Sequence, residues 1–293
     1  MEEDSPGPLS GVTKGMNYDL NTLSLGAGVQ STALLLMAQD GRFGEPPDCA
    51  IFSDTQWEPD TVYEQLDRIV AISDIPIHIV TAGNLREDVL AARNTETVSY
   101  GQPPFFVRQN VPDERGPDPG GMMWRRCTTT YKIEPIQRKI RELLGYKPRQ
   151  RVRKKAKQWF GISIDEAHRQ RDSRVKWIDN YYPLIDNGIS RIDCTKYLKE
   201  KGFGEIRKSA CIACPYHSNA MWANMRDKHP DEFQDAVEFD HELRQGKLPG
   251  VTGEAFVHRK FLPLEQAVEA THNSNQIDFL DDFGEECEGM CGL

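Results

Sequence analysis

The chain has 293 residues, 38% of them hydrophobic, which suffices for one large domain, or one domain with a smaller appendage, around a true core. Charged residues make up 28% and the formal net charge is −9, arguing against wholesale coating of nucleic acid but not against a local basic patch. No apolar run approaches bilayer length, and the acidic, polar start lacks the basic and apolar stretches of a signal peptide, so a cytoplasmic protein without membrane contact is expected. Seven cysteines are too few for a disulfide scaffold, and in a reducing compartment their clustering points to metal or redox chemistry.

Residues 1–17 are acidic, contain Gly and Pro, and read as a disordered tail. Asp19 to Leu25 alternates apolar and polar residues and predicts a strand. After Gly26-Ala27-Gly28, Val29 to Ala38 predicts a buried helix ending near Gly41. Cys49 to Ser53 predicts a second strand. Pro59 to Ile72 predicts an amphipathic helix with Val62, Leu66, Ile69 and Val70 on one face. Ile75 to Val80 and Leu85 to Ala92 predict a strand and a short helix. Thr95 to Met123, rich in Gly and Pro, predicts a flexible loop over the site. Tyr131 to Leu144 predicts a helix and Trp159 to Ile164 a strand, with helical segments after about residue 190 and an acidic tail at Asp278 to Glu288. Alternating strands and helices imply an α/β fold, a Rossmann-like parallel sheet with helices on both faces. The expected division is a nucleotide-binding domain over 18–189 and a mostly helical, cysteine-bearing region over 190–293.

Ser24-Leu25-Gly26-Ala27-Gly28-Val29-Gln30-Ser31-Thr32 lies between a predicted strand and helix. Small residues there let backbone N–H groups approach a phosphate, the helix N-terminus adds partial positive charge, and Ser31 and Thr32 add hydroxyls. Tight strand–helix turns also use glycine for steric reasons alone. Asp54-Thr55 ends the next strand, where ligands of open α/β sheets gather.

Together with Phe52-Ser53-Asp54-Thr55 and the helix bearing Glu58 and Tyr63, this loop resembles the PP-loop (adenine nucleotide alpha-hydrolase-like) superfamily, in particular the phosphoadenylyl-sulfate reductase family. The superfamily's usual loop is Ser-Gly-Gly-x-Asp-Ser. Here Gly26 stands at the first serine and Gln30 at the aspartate. Arg126-Cys127-Thr128 with Tyr131-Lys132-Ile133-Glu134-Pro135 resembles the family's cysteine–lysine–proline motif. Gly161-Ile162-Ser163-Ile164-Asp165-Glu166 with Arg169 resembles a strand end of DNA-phosphorothioation sulfur-transfer enzymes and related phage proteins. The resemblance covers about residues 20 to 215 and implies binding of ATP or a sulfonucleotide.

Lys132 and Arg169 are candidates for gripping phosphate or sulfate oxygens. Asp165 and Glu166 are candidates for a Mg²⁺ site at the pyrophosphate, or for a helix cap. Lys147 to Lys157 carries seven basic residues and no acid, and such segregation on an acidic chain suggests a tRNA or DNA contact, against the plainer reading of a solvated hairpin or loop.

Cys211-Ile212-Ala213-Cys214-Pro215 is a Cys-x-x-Cys pair, whose spacing lets two thiolates reach one metal. An iron–sulfur cluster, zinc and a dithiol pair compete, and the resemblance makes Cys127 a cluster ligand. The fourth position falls to Cys194, Cys287 or Cys291, or stays open. His217, just past the pair, is a candidate for orienting a cluster ligand or donating a proton, with packing beside the turn, alongside Trp222, as the plainer reading. Cys49 reads as a small core residue. Met290-Cys291-Gly292-Leu293 partly resembles the family's C-terminal nucleophile motif, making Cys291 and Cys287 catalytic candidates, with an anchoring pair as the plainer reading. The expected function is nucleotide-dependent sulfur chemistry. Its leading form is a sulfurtransferase that thiolates a nucleobase or nucleic acid with an iron–sulfur cluster and a sulfur donor protein. The alternatives are a sulfonucleotide reductase with an electron donor protein and a non-catalytic binding module.

Overall fold

The computed structural model describes residues 17–95, 100–108, 120–207 and 209–272. The candidates Cys287 and Cys291, most of the predicted N-terminal tail and the acidic C-terminal tail lie outside the described residues.

Five strands form one parallel sheet: β1 (Leu20–Leu25), β2 (Cys49–Asp54), β3 (Ile77–Thr81), β6 (Ala156–Phe160) and β7 (Ile178–Tyr181), in the order β3-β2-β1-β6-β7. The strands of such a sheet are covered on both faces, and β2 is accordingly buried from Cys49 to Ser53. On one face lie α1 (Val29–Gln39), α2 (Asp60–Ile72) and α6 (Arg191–Glu200), sharing a core with Leu23, Leu25 and Phe52. α1 is held between the sheet and α6, so every residue from Val29 to Ala38 is buried, as its nearly unbroken apolar sequence requires. The other face is covered by α4 (Glu134–Leu143), whose Ile136 and Ile140 pack on Cys49, Ile51, Ala156 and Ile178.

Sequence and structure differ in four places. Val70, expected on the apolar face of α2, is 47% exposed, because Val62, Leu66 and Ile69 alone fill the stripe that meets α1. The strand predicted over Trp159 to Ile164 instead starts at Ala156, since Leu20 and Asn21 of β1 pair with Ala156 and Lys157, and it leaves the sheet at Gly161. The described parts of Thr95 to Met123 are not all loop. β4 (Phe106–Arg108) and β5 (Gly120–Met122) join β8 (Glu254–Phe256) in an antiparallel sheet of order β5-β4-β8, so the C-terminal region contributes a strand as well as helices. Finally, Tyr131 to Leu144 is helical, but a π-helical turn (Thr128–Ile133) precedes α4.

A second core sits on the carboxyl edge of the large sheet. Trp57, just past β2, and Leu85 and Val89 of α3 (Leu85–Ala92) pack with α7 (Asn219–Lys228), α8 (Pro230–Arg244) and α9 (Leu264–His272). Arg86 pairs with Asp235 and Glu242 of α8, and Asp235 also accepts from the Trp57 indole at 2.6 Å. α6 packs on α1. No helix among the described residues is long and apolar enough to cross a membrane.

Candidate active site

The chain runs from β1 outward to β3, then returns to the far side of β1 as β6 and β7. That reversal opens a crevice at the carboxyl ends of β1 and β6, the usual ligand position in open α/β sheets. The loop after β1 and the segment after β6 face one another across it. An added Cβ on Gly161 would lie 2.7 Å from both Cα and N of Ser31, so only glycine lets the two chains approach this closely. Ala27 holds φ +55°, a left-handed conformation that costs an alanine about 1 kcal/mol or more. Ser31 Oγ accepts from Gly26 N at 3.2 Å, closing the loop, and no side chain caps the N-terminus of α1 at Gly28. Thr32 Oγ1 is buried without a hydrogen-bond partner. Ser24, at the end of β1, is nearly buried.

Gln30 is fully buried. Its amide nitrogen donates to Ser163 Oγ (3.3 Å) and Glu166 Oε2 (2.8 Å), and its oxygen accepts from Arg191 Nη1 at 3.0 Å. An aspartate could not donate to Glu166, so Gln30 fits this network through its amide. Glu166 also pairs with Arg169 at 2.7 Å. Asp165 accepts from Ser163 Oγ and from Arg191 N at the start of α6. The two carboxylates are thus engaged separately, in a 3-10 turn (Ile164–Arg169), rather than paired toward the loop. At the end of β2, Asp54 accepts from Gln56 N (2.7 Å) and the Tyr63 hydroxyl (2.9 Å).

Beside Thr55 lies a small pocket that gathers Cys127, Cys211 and Cys214 with Lys132, Thr128 and Arg125. Three elements bring them together: the segment after β2, the π-helical turn, and the Cys-x-x-Cys turn, which Ile212 N fastens to Trp57 O at 3.0 Å. Within it, Lys132 pairs with Glu58 at 3.4 Å, both nearly buried. Glu58 Oε1 also accepts from Thr55 Oγ1 (3.0 Å) and Cys211 Sγ (3.6 Å), while Oε2 has no hydrogen-bond partner. Burial and the Glu58 carboxylate push the Cys211 thiol well above its ordinary pKa, and the Lys132 ammonium opposes them. Three thiols beside an ammonium suit a thiolate-bound metal group by donor chemistry. Among the described residues, however, no group of three or more His, Cys, Asp or Glu side chains is arranged to hold a metal ion.

Two candidates lie elsewhere. Cys194 is fully buried on the core face of α6 with Tyr197 and Leu198, in the cluster shared with α1, away from the other cysteines. Of Lys147 to Lys157, residues 147–155 precede β6 at the edge opposite the crevice, and Ala156 and Lys157 open the strand itself. Lys132, a candidate for gripping phosphate or sulfate, lines the cysteine pocket. Glu58 emerges from the structure as the buried partner of Lys132. The sequence had marked Glu58 only as part of the resemblance, and its bond with Thr55 appears in the structure. Ser163, which joins the Gln30 network, lies within the Gly161–Glu166 motif, whereas Arg191, which joins it from α6, carried no local signal.

No family model and no curated protein matches the sequence. Among solved structures, the chain is similar to a phosphoadenylyl-sulfate reductase from Candida auris in its phosphate complex, at 14% identity and TM-score 0.38, over 65% of this chain and 76% of that one. It is also similar to the U34-tRNA thiolase NcsA from Methanococcus maripaludis with its 4Fe-4S cluster, at 13% identity and TM-score 0.35, over 77% of this chain and 72% of that one.

Proposed function

We propose that the chain is an adenine-nucleotide-dependent enzyme that replaces an oxygen of a nucleobase or nucleic acid with sulfur, using an iron–sulfur cluster held by Cys127, Cys211 and Cys214. One observation carries this reading. Three cysteines from two distant stretches line one pocket beside a buried lysine–glutamate pair, on the sheet edge that bears the glycine loop. In this reading the nucleotide's phosphates lie against Gly26–Thr32, where uncapped N–H groups of α1 favour anionic oxygens. The acceptor oxygen bonds to the α-phosphorus and pyrophosphate leaves. Sulfur at the sulfide level, delivered by a donor protein, then attacks the activated carbon, the C–O bond breaks, and AMP departs with the electron pair. A bound cluster supplies iron that can hold sulfide close to the acceptor. Lys132 offsets the charge of thiolates around it, and Glu58 and Thr55 fix the lysine's position. Cys287 or Cys291 completes the ligand set or carries sulfur. A Mg²⁺ ion at the pyrophosphate would have to draw Asp165 or Glu166 from its present partners.

The engagement of those two carboxylates favours a second reading, a sulfonucleotide reductase that needs no Mg²⁺ and whose Arg169 would leave Glu166 to meet the substrate. There Cys291 attacks the sulfonyl sulfur, the S–O bond to the nucleotide phosphate breaks, and a dithiol donor releases sulfite.

Anaerobic purification with a visible spectrum and iron and zinc counts tests the cluster. Broad absorbance near the blue end that Cys211→Ser or Cys127→Ser removes is expected, and stoichiometric zinc without it would sink the idea. Pyrophosphate release from ATP that requires tRNA or DNA supports transfer. Sulfite release abolished by Cys291→Ser supports reduction instead.

A further inference from the structure

The fold gathers more positive charge at one edge than the sequence run contains. The loop of residues 147–155 leads into β6, and Arg174 to Trp177 leads into β7. The two strands are parallel and begin in register, Ala156 opposite Ile178, so both segments enter the sheet side by side at its amino edge. The loop is fastened there. Arg141, in the last turn of α4, donates to Gln150 O at 2.7 Å and lies over the Trp177 ring, Arg153 N donates to the Tyr146 hydroxyl, and Ala156 N donates to Trp177 O. Arg149, Arg151, Arg153, Lys154, Arg174 and Lys176 are exposed, and among the described residues none of their side chains meets a carboxylate. Of the nearby carboxylates, Asp179 pairs with the Lys155 ammonium and Asp19 accepts from the Lys155 backbone N–H. On a chain of net charge −9, such a fixed, unneutralised surface is out of keeping with a merely solvated loop.

We infer that this edge is a docking site for the phosphodiester backbone of a nucleic acid, built jointly by the 147–155 loop and the 174–177 segment. Its place sets the partner's size. Lys155 and Gly161 bracket β6, about 20 Å apart along the strand at the usual rise. A nucleic acid bound here and reaching the crevice must therefore extend past the side of the domain, and a mononucleotide cannot occupy both places. The surface rests on charge and topology and stands apart from the sulfur chemistry, so the two can fail separately.

Fluorescence anisotropy with a labelled DNA duplex of about two helical turns, a single strand of the same length and an RNA hairpin, across a salt series, tests it. The arms tell DNA from RNA as the source of the backbone. Arg151→Glu/Arg153→Glu/Lys154→Glu and, separately, Arg174→Glu/Lys176→Glu should each weaken binding about tenfold or more and flatten the logarithmic salt dependence. The thermal shift given by ATP should stay unchanged in both. No binding at low salt, or binding that neither variant weakens, overturns the site. An effect confined to the triple variant overturns the joint surface. Tighter binding to phosphatidylserine vesicles than to any of the nucleic acids overturns the assignment of the partner.

Discussion

At the residue scale, the most exacting contact is the Lys132–Glu58 pair, 3.4 Å apart and almost without solvent. Removing one member of such a pair leaves a buried charge. Lys132→Met should cost about 3–5 kcal/mol in denaturant unfolding, and adding Glu58→Gln should recover much of that loss. If the single and double variants are equally unstable, the pair is not coupled. His258 gives a pH signature. Burial, aided by the charges of Arg259 and Lys260, lowers its pKa to about 4. Nε2 lies 3.0 Å from Asn219 Oδ1, and Nδ1 accepts from Lys260 N. The folded state holds this ring neutral, while the unfolded chain protonates it near the ordinary histidine value of 6.5. Stability from this group is therefore full above about pH 6.5, falls as pH drops toward 4, and is level below that, a loss of about 3 kcal/mol. His258→Gln should remove that segment of the pH–stability curve. The sequence marked Glu58 and Lys132 separately, through the resemblance, but neither their pairing nor the character of His258 was legible in it, because burial gives both.

At the element scale, the loop between β1 and α1 is shaped by two positions of opposite demand. Ala27 sits at φ +55°, where glycine is at ease, so Ala27→Gly should raise stability by about 0.5–1 kcal/mol after the entropy that glycine adds to the unfolded chain. Gly161 faces the Ser31 backbone with no room for a methyl group. Gly161→Ala should cost about 1–3 kcal/mol and widen the crevice, read as loss of the ATP-induced thermal shift. An unaltered shift would mean that the crevice is not where nucleotide binds. The loop's sequence spoke for itself because glycine spacing after a strand is a local signal. The Gln30 network did not, since its partners Ser163, Glu166 and Arg191 lie more than a hundred residues away and only the β6 crossover brings them near.

At the scale of the whole molecule, the second core sits on the carboxyl edge of the sheet, and Asp235 of α8 helps to fasten it there by holding both Trp57, just past β2, and Arg86 of α3. Asp235→Ala should cost about 1–3 kcal/mol. Hydrogen exchange should quicken in α7 to α9 while β1 and β2 keep their protection, because the sheet core does not depend on the contact. The parallel sheet, its helices and the glycine loop were determined by sequence alone, since apolar periodicity and glycine placement act over a few residues. The same local logic marked Cys211 and Cys214 as a pair. The resemblance already set Cys127 beside them; only the tertiary structure decided that Cys194 is sealed in the α1–α6 core and that Lys132 turns to Glu58. It alone also set the basic loop beside Arg174 and Lys176 at the far edge from the crevice. Strand order and direction fix which distant segments share an edge, and no window of sequence contains that information.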